Sequence, residues 1–205
     1  MQKDASFDLG AAVAAVKSTL SVPTPASGRP VLVMLCGLPG TGKSTLAREL
    51  APRLPAVVVE SDQVRRRLYN PPSYSPEESQ QVHRVCHILM GWFLNHYYHV
   101  IYDATNLYEH HRQLVVRLAA RNAARLIVVE VTAVDEAVRQ RLVPRRQYDL
   151  AADPPEGYSD ADWEVYLRMR RRAEPIQHEH ISLDTSNMDV EQAVRSVLQA
   201  VYQRQ

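Results

Sequence analysis

Gly37-Leu38-Pro39-Gly40-Thr41-Gly42-Lys43-Ser44-Thr45 is a G-x-x-x-x-G-K-S run. It follows the apolar stretch Val31-Leu32-Val33-Met34-Leu35-Cys36 and leads into the helix-like Leu46-Ala47-Arg48-Glu49-Leu50-Ala51. Strand, glycine loop and helix in that order make a P-loop. The glycines let successive backbone N–H groups turn inward onto phosphate oxygens. The helix N-terminus adds partial positive charge at the same point. On this reading residues 37 to 45 bind nucleotide, Lys43 reaches the terminal phosphates from the solvent side of the loop, and the Ser44 hydroxyl ligates Mg²⁺. Three of the 7 glycines in the chain sit in this loop.

Outside the loop, 205 residues suffice for one α/β domain with a sizeable core. With 45% apolar and 23% charged residues the composition is that of an ordinary globular protein. A net charge of +1 argues against a broad surface for coating nucleic acid, while a local basic channel stays open. The two cysteines, Cys36 and Cys86, lie in apolar patterns without metal spacing and suit a reducing cytoplasm. Asp4, Asp8 and Lys17 interrupt the apolar residues of the N-terminus, so no signal-peptide core forms, and no run approaches membrane-spanning length. Residues 8–20 read as a short amphipathic helix, and the proline-rich 21–30 as a linker. This divides the chain into a helix and linker over 1–30 and a main domain over 31–205.

Five short β-type runs alternate with helical segments: 31–36, 56–60, 99–103, 125–131 and a weak one at 180–183. They are nearly continuously apolar, as strands buried on both faces are. The intervening helices then cover both faces of a doubly wound parallel sheet. Residues 77–98, 108–124 and 189–202 carry apolar residues at helical spacing. The aromatics Trp92, Phe93, Tyr97, Tyr98 and Tyr102 read as core packing. His110, His111, His178 and His180 complete no familiar ligand spacing and read as surface or lid residues.

Ligands of a parallel sheet bind beyond the carboxyl ends of its strands. The second run ends in Glu60-Ser61-Asp62, so Asp62 is a candidate general base for an acceptor hydroxyl, with helix capping as the compatible alternative. Arg65, one helical turn on, is placed to bind an anionic group of that acceptor. Asp103 ends the third run; it holds Mg²⁺ through water, touches the acceptor, or only organises a turn. Arg141 and Arg145 share the spacing of one helical face and offer cations to a migrating phosphoryl group. Together with Arg168, Arg170, Arg171 and Arg172 they flank an acidic, proline-containing segment, which suggests a lid over about 139–175. A solvated charged face is the competing account of those arginines.

G-L-P-G-T-G-K-S-T, then S-D-x-x-R, V-I-Y-D-A-T-N and R-L-x-x-R together resemble the zeta-toxin/polynucleotide-kinase-like branch of P-loop kinases. Within it the chain resembles the bacterial "predicted kinase" group, whose members commonly carry an AAA-type designation. The resemblance spans roughly residues 31–200. It implies an adenylate-kinase-like sheet of order 2-3-1-4-5, with ATP and Mg²⁺ at Lys43 and Ser44. It implies that Asp62 activates the acceptor, that Arg65 meets an acceptor phosphate, and that Arg141 or Arg145 is the lid arginine. Asp184 and Thr185 match the loop near the adenine. The expected activity is transfer of the γ-phosphoryl group of ATP to a hydroxyl, either a nucleic-acid 5′-hydroxyl or a small phosphorylated molecule. A sugar or antibiotic kinase, and a nucleotide-dependent switch acting on a protein partner through residues 1–30, are the alternatives.

Overall fold

The computed structural model describes residues 7–142 and 161–203. The order of elements is α1 (Leu9–Lys17), β1 (Val31–Cys36), α2 (Lys43–Leu50), β2 (Ala56–Glu60), α3 (Ser61–Leu68), α4 (Pro76–Asn95), β3 (His99–Asp103), α5 (Glu109–Arg121), β4 (Arg125–Thr132), α6 (Asp135–Leu142), α7 (Trp163–Arg170), β5 (Ile181–Asp184) and α8 (Val190–Tyr202). The five strands form one parallel sheet of order β2-β3-β1-β4-β5. This is the doubly wound α/β architecture and strand order that the sequence implied.

Every residue of β1 is buried, and its side chains alternate between two apolar layers. Leu32, Met34 and Cys36 face the layer formed with α1, α3, α4 and α5. Val31, Val33 and Leu35 face the layer formed with α2 and α8. That is why the strand reads as an unbroken apolar run rather than an alternating one. Burial pushes both thiols, Cys36 and Cys86, up to about 12, so they serve as small apolar residues.

α4 is the longest helix. The Ser75 hydroxyl accepts from the Glu78 N–H at 3.1 Å, Pro76 opens the first turn, and Glu77 and Glu78 complement the dipole. The helix stops at Asn95, short of the 98 expected, because Tyr97 takes the left-handed conformation at φ 63°. Phe93 and Tyr102 are buried, while Trp92 and Tyr97 are exposed. Trp92 stacks on His96 at 3.9 Å beneath the Lys17 ammonium. Core packing therefore accounts for Phe93 and Tyr102 and not for Trp92 and Tyr97.

α1 packs Ala12 and Val16 into the α4 layer, and the Ala26 N–H donates to the Tyr97 carbonyl. Among the described residues no helix is long and apolar enough to cross a membrane.

Candidate active site

Strand register gathers the site. Leu35 of β1 pairs with Asp103 of β3, and Asp103 with Glu60 of β2, so three carboxyl ends finish level. The P-loop leaves β1 with Gly37 at φ 147° and Gly42 at φ 100°. A Cβ on Gly37 would lie 2.2 Å from the Val131 carbonyl oxygen, so only glycine fits the close approach to β4. Lys43 is the first residue of α2 and only 8% exposed, with its Nζ donating to the Leu38 carbonyl at 2.9 Å. It is thus a buried residue of the loop, not the solvent-side one expected.

The turn after β5 is fastened to this loop. Thr185 Oγ1 donates to the Thr41 carbonyl at 2.8 Å. Arg141 donates to Thr185 Oγ1 at 2.8 Å, to the Thr185 carbonyl at 2.9 Å and to the Gly40 carbonyl at 3.2 Å. Arg141 therefore braces the P-loop against residues 184–186. Asp184 accepts from the Ser186 N–H at 2.9 Å and from Asn187, and these bonds hold its carboxyl below the usual range. Arg145 lies outside the described residues, as do residues 143–160 of the expected 139–175 lid.

Asp103 is buried beside the loop. Burial raises its pKa; Lys43 and a hydrogen bond from the Ser44 hydroxyl oppose the rise, and Asp62 adds to it. Its Oδ2 is buried and has no hydrogen-bond partner among the described residues. The Ser44 hydroxyl and the Asp103 carboxylate with its orphaned Oδ2, beside a phosphate-binding loop, fit Mg²⁺, which takes few protein ligands and completes its shell with phosphate and water. No cluster of three His, Cys, Asp or Glu of metal-binding type occurs among the described residues, and this kind of site requires none.

The P-loop, Asp62 and Asp103 line one cleft of about 1560 Å³. Asp62 lies in the first turn of α3 and its side chain does not cap that helix. Arg65, 7% exposed, also borders the cleft, but its guanidinium is paired with Glu78 and lies over the Tyr74 ring at 4.7 Å. Beyond Asp62 the wall is made by α4 and α5. His83 and His111 rings are 5.0 Å apart, His83 and His87 6.4 Å. Burial, reinforced by the neighbouring imidazoles, lowers His83 to about 3 and His87 to about 4, and burial lowers His111 as well. These three imidazoles are uncharged at neutral pH, while Arg84 of α4 borders the same cleft.

A family model described as an AAA domain, AAA_33, matches residues 32–176. The chain belongs to this AAA domain family. No curated protein matches it significantly. Among solved structures it is similar to APE1195, with 23% identity over 87% of this chain and 97% of that one and a TM-score of 0.68. It is also similar to the Mycobacterium tuberculosis APS kinase CysC in complex with AMPPNP and APS, with 16% identity over 85% and 99% and a TM-score of 0.66. A gluconokinase from Sinorhizobium meliloti 1021 follows at 14% identity over 85% and 93%, TM-score 0.58. At these identities the likeness is one of fold.

Three features of this AAA domain's site escaped the sequence reading. His83 and His87 stand one turn apart on α4, an i, i+4 pair visible in the sequence. Glu78, the partner of Arg65, lies 13 residues away across a loop and left no signal. Arg112 is fully buried and ties the loop after β3 to residues 174–175. His178, by contrast, sits beside Glu109 and Gln113 and does not line the cleft.

Glu78 carries a pH prediction. Burial works to raise its pKa, but hydrogen bonds from Ser73, Arg65 and the Tyr74 backbone outweigh burial and bring it to about 2, below the ordinary 4.5. A depressed carboxyl stabilises the fold above its unfolded pKa and loses that contribution as pH falls toward 2. Thermal melting of Glu78→Gln should therefore fall well below wild type at pH 7, with the gap closing between pH 4.5 and 2. A gap independent of pH would show that the ion pair is not its source.

Proposed function

We propose that the chain is an ATP-dependent kinase that transfers the γ-phosphoryl group to a hydroxyl on an acceptor held beside Asp62. The observation that carries this reading is the shared cleft: a phosphate-binding loop at one end and the Asp62 carboxylate at the neighbouring strand end. Phosphoryl transfer depends on positioning and charge, with little covalent work for the protein. Lys43, the loop N–H groups and the start of α2 supply positive charge around the β- and γ-phosphates. Ser44 and Asp103 would hold Mg²⁺, which neutralises phosphate charge when bound. Asp62 takes the acceptor proton as its oxygen bonds to phosphorus, and the bond to the β-phosphate oxygen breaks to release ADP. Arg141, fixed to Gly40 and Thr185, belongs to the donor side; Arg145 is the remaining candidate for a lid cation. The APS kinase of similar fold, solved with AMPPNP and APS, supports an ATP-type donor.

The acceptor reading that rested on Arg65, a phosphorylated molecule or a nucleic-acid 5′-hydroxyl, meets a guanidinium already neutralised by Glu78. The sugar or antibiotic alternative, an acceptor without a phosphate, gains by that pairing. The switch reading loses support, because α1 and the segment at Ala26 are committed to the fold.

A radiolabelled-ATP transfer screen across hydroxyl acceptors tests the activity. Asp62→Asn preserves size but cannot accept a proton. It should lower turnover by about 10²-fold or more while ATP affinity is kept. Near-wild-type turnover in Asp62→Asn would remove the base from the scheme.

A further inference from the structure

A cleft of about 1560 Å³ exceeds the roughly 300–1,000 Å³ of a single small-molecule pocket, so it has room for an acceptor beside the nucleotide. The chemistry of the wall beyond Asp62 says what kind. Ile88 and Leu114 open into the cleft while 40% and 41% exposed, an unusual position for large apolar side chains unless something covers them. The imidazoles of His83, His87 and His111, neutral at pH 7, line the same cleft. Arg65, the buried arginine of the cleft lining, has its charge balanced by Glu78.

The proton of His83 can be placed. Its Nδ1 lies 3.0 Å from the Tyr102 hydroxyl, and Tyr102 is wholly buried. Were Nδ1 the donor, the phenol's own proton would lack an acceptor among the described residues. The phenol therefore donates to Nδ1, and the ring proton resides on Nε2. Nε2–H has no hydrogen-bond partner among the described residues, and the ring borders the cleft. It is a fixed, uncharged donor waiting for an oxygen.

We infer that the acceptor is a small uncharged alcohol with an apolar ring face, seated on Ile88 and Leu114 and receiving a hydrogen bond from His83 Nε2–H. The inference rests on the kinase reading and specifies its substrate class. A polyanionic acceptor would instead run past the exposed Arg84, Arg168 and Arg172, which border the same cleft, and it is the alternative to be tested.

Thymidine and thymidine 3′-monophosphate share a ring face and a 5′-hydroxyl and differ by one phosphate. Calorimetric binding of each to the full chain, with AMPPNP saturating, decides the matter. AMPPNP binding is measured first; its failure would count against the kinase reading itself. With AMPPNP bound, thymidine should bind more tightly than its 3′-phosphate. His83→Ala should weaken thymidine roughly tenfold, the scale of one neutral hydrogen bond, and His83→Gln, which keeps an N–H donor, should recover part of it. Leu114→Glu, at an exposed position, should weaken thymidine with unchanged melting. Tighter binding of the 3′-phosphate, no binding of either, or indifference to both substitutions would overturn the inference while leaving the kinase reading intact.

Discussion

Lys43→Ala is expected to lower phosphoryl transfer by about 10³-fold or more, the scale on which a preorganised cation at the migrating phosphoryl group acts. Arg141 and Arg65 are poor substitutes. Arg141 is occupied by the Gly40 and Thr185 carbonyls, and Arg65 by Glu78. The fold should survive, because the substitution keeps a good helix former at the start of α2, and the hydrogen bond it removes to the Leu38 carbonyl contributes only about 1 kcal/mol net. Its burial makes a small drop in melting temperature the expected accompaniment. Radiolabelled transfer, calorimetry with ATP and circular dichroism together separate these effects. Unchanged transfer would sink the assignment of the donor site.

The second large effect is on stability and lies outside the chemistry. Arg112 is 1% exposed and donates to the carbonyls of Asn106, Leu107, Glu174 and Pro175 and to Glu109. Arg112→Ala would remove the donor these acceptors share and leave the buried Asn106 carbonyl without it, although the Leu107 carbonyl keeps the Glu174 N–H and Glu109 keeps Gln113. Breaking a buried charged network by removing one partner costs roughly 3–5 kcal/mol, against a total stability of about 5–15 kcal/mol. For a chain of this size that corresponds to a melting temperature lower by roughly 10 °C. Arg112→Lys should not rescue it, since one ammonium cannot reach both segments that the planar guanidinium spans. A melting temperature within about 2 °C of wild type would show that water replaces the arginine.

The parts of the fold that were legible in sequence are those fixed by local pattern. β1, β2 and β3 match the runs read from sequence, because strands buried on both faces are nearly continuously apolar between their ends. The P-loop was legible because its glycines and Lys43 are contiguous. What sequence could not give were pairings made across the fold. Arg65 follows Asp62 by one turn and so read as an open cation, yet α4 brings Glu78 against it. Arg112 gave no signal in a helix read only from its apolar spacing, yet the structure buries it against the 174–175 segment. The end of α4 was set by the left-handed Tyr97, a conformation that no apolar spacing encodes.

The bonds joining Thr185, Arg141 and Thr41 have a consequence for the order of binding. They fasten three segments distant in sequence into one rigid cradle, so little conformational entropy remains to be lost when a nucleotide settles there. The two ends of the cleft are then thermodynamically unlike. The donor end meets its ligand as a finished mould, and discrimination there comes from shape.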